Sequence, residues 1–140
     1  MSTRAMYSFT DANDPPETHH VYKHHDGYPT GAAKALAKAA ALAWPAPRFE
    51  ADEYAASFIA ANKDSPGGLR TMLSGAFTDV APGDIEFYYT VTAPAGALKH
   101  PQVEAFTVDD VGTPAGSARI FKGNLPAFIA WTASTKNKHG

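Results

Sequence analysis

The chain has 140 residues, 44% hydrophobic and 19% charged, which suits a single domain that buries a core without covalent staples. A formal net charge of −2 and a pI near 6.3 leave no basic footprint, so nucleic-acid binding has no electrostatic support at domain level. Cysteine is absent, excluding disulfides, thiolate catalysis and Cys-type zinc sites, and no stretch approaches a membrane span or a long apolar signal segment, so a cytoplasmic protein without membrane partners is expected.

Thr3 to Phe9 alternates, with Ala5, Tyr7 and Phe9 on one face, and is expected to be a strand. Asp11 to Glu17 is a loop, marked by Asn13, Asp14, Pro15 and Pro16. His19 to His25 is expected to pair back on the first strand as a hairpin. Asp26-Gly27 ends it, glycine tolerating the positive φ that such turns need.

Pro29-Thr30-Gly31 opens a helix with Thr30 as the expected N-cap. The helix continues through Ala32 to Trp44, with Lys34 and Lys38 one turn apart on its polar face. Leu36, Ala39, Ala40 and Ala43 form a shallow apolar stripe that lets it lie close on a sheet. Trp44-Pro45-Ala46-Pro47 stops it. A second helix is expected from about Ala51 to Asn62, where Glu50, Asp52 and Glu53 suit the positive end and Tyr54, Phe58 and Ala61 line one side. Ser65-Pro66-Gly67-Gly68 is a break, and Leu69, Met72 and Leu73 suggest a short third helix.

Thr78 to Asp84, with Pro82-Gly83, is a further loop. Ile85 to Val91 is the strongest strand pattern, rich in aromatic and β-branched residues. Phe87 and Tyr89 face the expected core; Tyr88, on the side of Glu86, is the expected edge of an interface. Pro94 to Pro101 is a connection, Val103 to Val108 a strand, Asp109 to Gly116 a turn region and Ala118 to Lys122 a last strand. Asn124-Leu125-Pro126 opens a final helix to about Ala133, with Asn124 as cap. The expected fold is α+β: one domain over residues 1–140, with an antiparallel sheet made of an N-terminal hairpin and a C-terminal meander, packed against two to four helices.

Thr3-Arg4 and Tyr22-Lys23-His24-His25-Asp26-Gly27-Tyr28-Pro29 resemble a set of uncharacterised small proteins encoded by phages and bacteria. Those start near a Thr-Arg and carry an aromatic, a basic residue, a variable pair and then Asp-Gly-Tyr-Pro. Gly67-Gly68 and Asp84-Ile85-Glu86-Phe87-Tyr88 resemble their later Gly-Gly pair and strand. Where many of them have Trp or Tyr before Asp-Gly, this chain has His25. The resemblance implies one compact domain and directs interest to Arg4, Lys23, Asp26 and Tyr28; it implies no activity.

Four of the six histidines fall between His19 and His25. On an extended strand His20, Tyr22 and His24 face one way, with Asp26 next in register. Residues i and i+4 of one strand lie roughly 13 Å apart, so only His24 with Asp26 are candidate ligands for a divalent metal, and they need help from elsewhere. No cofactor is required by the sequence. The start of the first long helix is a candidate anion site, with Thr30, Lys34 in the first turn, and Lys23 and Arg4 supplying charge if the hairpin brings them near. Asp26 beside a histidine, with Tyr28 as donor, suits acid–base work, but no nucleophile motif accompanies them and no catalytic residue is assigned.

The candidate ligand-binding residues are therefore Arg4, Lys23, Asp26, Tyr28, Thr30 and Lys34, with His24 and Asp26 as candidate metal ligands. The favoured reading is a small soluble protein that works by binding, through a protein partner or by self-association such as a homodimer. The alternative is a metal- or phosphate-dependent enzyme built around His24, Asp26, Tyr28 and Lys34.

Overall fold

An interior strand, β1 (Ala5–Thr10), turns Ala5, Tyr7 and Phe9 to one side and Met6, Ser8 and Thr10 to the other, as the period of two requires. The computed structural model describes residues 3–72, 85–94, 99–108 and 117–140. After β1 come β2 (Thr18–Lys23), α1 (Pro29–Leu42), α2 (Ala51–Asn62), β3 (Leu69–Met72), β4 (Phe87–Thr92), β5 (Gln102–Val108), β6 (Ser117–Asn124) and α3 (Leu125–Thr132). Among the described residues the strands form a six-stranded sheet in the order β3-β2-β1-β4-β5-β6. The class is α+β, with a larger sheet than a hairpin plus a meander. The two halves are joined because β4 lies parallel to β1, in register from Ala5↔Phe87 to Thr10↔Thr92, while the other neighbours are antiparallel. The expected loop at 78–84 and the turn at 109–116 fall outside the described residues, as does Leu73.

Leu69–Met72 is a strand, not the short helix expected. It pairs with β2 from His20↔Met72 to Lys23↔Leu69. Four residues cannot sustain an isolated helix, whereas β2 offers a row of backbone groups that need partners. Leu69 packs into the helix-side core while Met72 packs against the cluster on the opposite face, as residues at an odd spacing on a strand do.

α1, α2 and α3 pack on one face of the sheet. Tyr7, Phe9, Tyr89, Leu36, Phe58 and Phe128 form the centre of that core, each fully buried. Rings meet closely: Tyr7 lies 4.6 Å from Phe58 and 5.0 Å from Tyr89. The alanine-rich stripe of α1 buries Ala32, Ala33, Ala35, Leu36 and Ala39, and the lack of bulk lets the helix pack closely against α2 and α3 rather than lie close on the sheet. Asn62, at the last turn of α2, ties the two helices by donating to the carbonyls of Ala35 (3.0 Å) and Phe58 (2.9 Å). Asn124 caps α3 as expected, its Oδ1 accepting from the Ala127 N–H at 2.9 Å. On the opposite face Met6, Tyr22, Ile85 and Val108 form a second, smaller cluster. No helix among the described residues is long and apolar enough to cross a membrane.

Candidate functional site

β2 ends at Lys23, and the chain must then turn within five residues to enter α1. Asp26 makes that turn with φ +57°, a left-handed conformation that Asp tolerates better than most residues. The positive φ thus falls on Asp26, not on Gly27. Gly27 is required for closeness instead: a Cβ there would lie 2.7 Å from Ala5 Cβ and 2.8 Å from the Thr3 carbonyl. Its N–H donates to Thr3 O at 2.9 Å, and its carbonyl accepts from the buried Tyr89 hydroxyl at 2.6 Å. A Cβ at Gly31 would stand 2.2 Å from the Asp26 carbonyl. The turn is therefore pressed against both β1 and α1, which fixes where its side chains point.

Lys23, Asp26, Tyr28 and Lys34 line one groove of about 170 Å³, together with Lys38, Asn62 and Asp64. It continues into a hollow of about 410 Å³ where His25, Ser65 and Gly68 join Lys23, Asp26 and Asp64. The loop after α2 reaches this place because β3 pairs with the end of β2 and the His24 N–H donates to Gly68 O at 3.0 Å. Three ammonium groups and two carboxylates are thus gathered at the junction of β2, α1 and the end of α2. Lys23 is half-buried there and its Nζ donates to the His25 carbonyl. Burial pushes the Lys23 pKa below the ordinary lysine value; Asp26 and Asp64 oppose that shift, and Lys38 adds to it.

Thr30 stands elsewhere. The N-cap of α1 is Tyr28, with no side-chain cap bond, and Pro29 opens the helix. Proline suits the first helical position because its fixed φ is already helical and its missing N–H has no intrahelical role. The Thr30 N–H donates to Gly140 O at 2.8 Å, so this donor of the expected anion site is already engaged within the chain. The Thr30 side chain lines a shallow apolar groove between α1 and α3, beside Ala33, Ala37 and Ile129. Arg4 is likewise outside the charged groove; its carbonyl accepts from the Glu86 N–H at 2.9 Å, near the start of β4.

His24 and Asp26 do not share a pocket. The His24 Nδ1 lies 2.8 Å from the hydroxyl of Tyr22, whose ring belongs to the far-face cluster, while Asp26 lines the groove on the helix side. Among the described residues no group of three His, Asp or Glu side chains is placed to hold a metal ion.

A second polar constellation was not legible in the sequence. Tyr88 OH donates to Ser8 Oγ at 2.9 Å, and Ser8 Oγ lies 2.7 Å from His20 Nδ1, a chain that crosses β4, β1 and β2. Burial, and secondarily His19, hold the His20 pKa below the ordinary histidine value. Ser8 Oγ accepts from Tyr88 and shares a second hydrogen bond with His20 Nδ1, whose direction depends on the imidazole tautomer. Ser8↔His20 follows from the hairpin register, but Tyr88 joins only through the parallel β1–β4 pairing, which no local pattern announces. Asn62 and Asp64 were missed as site residues for the same reason, since the end of α2 reaches the groove only by tertiary packing; Lys38 sits one turn after Lys34 on α1 and was recognisable as its neighbour.

The chain matches none of the family models, curated proteins or solved structures with which it was compared.

Proposed function

We propose that this protein works by binding, through a protein partner or by self-association, and that the contact is centred on the groove of Lys23, Asp26, Tyr28, Lys34, Lys38 and Asp64. The observation that carries the reading is the mixed charge of that groove: three ammonium groups and two carboxylates on a polar, open surface. An open polar lining suits the charged side chains of a partner better than it encloses a small substrate, and opposite charges on two surfaces set register and on-rate. Three lysines repel a metal cation, which disfavours the metal-dependent alternative at this place. The Asp-Gly-Tyr-Pro turn is then chiefly architectural, and is the feature shared with the phage- and bacteria-encoded proteins the chain resembles. We place the protein in the cytoplasm, where it needs no disulfide.

Zero-length carbodiimide crosslinking, on the purified protein and on the protein added to cell extract, tests this reading. Amide links from Lys23, Lys34 or Lys38 to carboxylates of a second copy or another protein are expected. Links spread evenly over all exposed lysines would contradict it.

A further inference from the structure

At the opposite end of the sheet, beyond Thr10, Thr92 and Gln102, lies a different cavity of about 210 Å³. Its walls are Trp44, Phe49, Tyr54, Pro101 and Leu125, with Arg48 and His100 as the polar groups at its rim. From this cavity we infer that the protein binds a small planar aromatic molecule of one or two fused rings that carries a hydrogen-bond acceptor, such as a carboxylate, directed to Arg48 and His100.

Size decides between ligand classes. A dry cavity of about 150 Å³ accepts benzene, while drug-sized ligands occupy roughly 300–1,000 Å³. The space here lies between the two and suits an indole- or benzoate-sized ring. The lining decides the shape: Phe49 and Tyr54 sit 4.9 Å apart, and the Arg48 guanidinium covers one face of Trp44 at 3.3 Å. Prolines and rings present rigid walls that lose little entropy on binding.

The walls are also held in place before any ligand arrives. The Trp44 N–H donates to Glu53 Oε1 at 3.2 Å, and the Arg48 N–H to Pro45 O at 3.2 Å. The Leu125 N–H donates to Pro101 O at 3.0 Å. Tyr54 is only 4% exposed, whereas Trp44, at 40%, stands open to an incoming ring. Arg48 engages Glu50 through Nε and Nη2, which sets the plane of its guanidinium and leaves Nη1 to meet an acceptor. Such pre-organisation spares a ligand the cost of ordering its site.

Calorimetric titration of the full chain with indole-3-acetate, indole and cyclohexylacetate tests the inference. Saturable one-to-one binding of indole-3-acetate is expected, weakened by about tenfold or more in Trp44→Ala and by roughly threefold or more in Arg48→Gln. Indole should bind more weakly than indole-3-acetate in the wild type and be indifferent to Arg48→Gln. Lys136→Glu, exposed near the C-terminus and outside both grooves, should leave this binding unchanged. Absence of saturable binding at millimolar ligand would overturn the inference. Equal binding of cyclohexylacetate, survival in a folded Trp44→Ala protein, or loss in Lys136→Glu would overturn it too.

Discussion

Ser8 Oγ lies 2.7 Å from His20 Nδ1, directly across the β1–β2 pair, and Tyr88 donates to the same oxygen from β4. His20 is half-buried beside it, and burial disfavours its charged form. His20 is held below its ordinary value near 6.5, so its contribution to stability is present above about pH 6.5 and is lost as pH falls through the lower folded value. Thermal unfolding followed from pH 7.5 to 5 should show a falling midpoint, and His20→Asn, which removes the titrating group, should flatten that slope. A slope identical to wild type in His20→Asn would remove His20 from the account.

Asp11 works at the acid end of the scale. Its Oδ1 accepts from Asn13 N at 3.1 Å and Glu17 N at 3.0 Å, and its Oδ2 from Ala51 N at 3.4 Å, joining the β1–β2 loop to the start of α2. The Glu17 bond is the largest cause of its lowered pKa, partly offset by burial. Stability from Asp11 is therefore present above its ordinary value near 3.8 and lost as pH falls through the lower folded value. Asp11→Asn should unfold at lower temperature than wild type at neutral pH, with the gap closing in acid. Circular dichroism melts across that range measure it.

The Asp26-Gly27 turn depends on contact more than on conformational freedom. Tyr89→Phe would leave the buried Gly27 carbonyl without its donor, at a cost of about 1–2 kcal/mol. Gly31→Ala would drive a methyl into the Asp26 carbonyl and should cost on the order of 3 kcal/mol. Urea unfolding of both variants checks the magnitudes. A neutral Gly31→Ala would mean that α1 approaches the turn less closely than described.

Much of the fold was legible because its signals are local. Alternation at Ala5, Tyr7 and Phe9 marked β1, the alanine stripe around Leu36 marked the buried side of α1, and Asn124 marked the start of α3. What was not legible depends on partners distant in the chain. Leu69–Met72 is a strand because β2 has an open side, and the hairpin joins the meander because β4 docks parallel to β1. The site divides in the same way. Lys23, Asp26, Tyr28 and Lys34 lie within twelve residues and one turn brings them together; Asp64 and Asn62 arrive by tertiary packing. Thr30 was misassigned as a cap because Pro29 claims the first helical position and moves the cap to Tyr28.

Lys23 joins stability to the proposed binding. A lysine lowered in the fold contributes stability above its ordinary value near 10.5 and loses it as pH falls through the folded value, so at neutral pH its buried charge opposes folding. Lys23→Met should therefore melt at the wild-type temperature or about 1–3 °C above it, while weakening the contact the groove makes. A melting point well below wild type, by calorimetry, would show that Lys23 serves the fold alone.

The most direct test compares what wild-type protein and the double variant Lys34→Glu/Lys38→Glu retain, as immobilised bait, from extract and from solutions of the protein itself. Both lysines are exposed, so the variant should fold normally. The account predicts that a partner, or a second copy, is held by the wild type and lost by the variant. Identical retention by two folded baits would contradict the claim that this groove is where the protein binds.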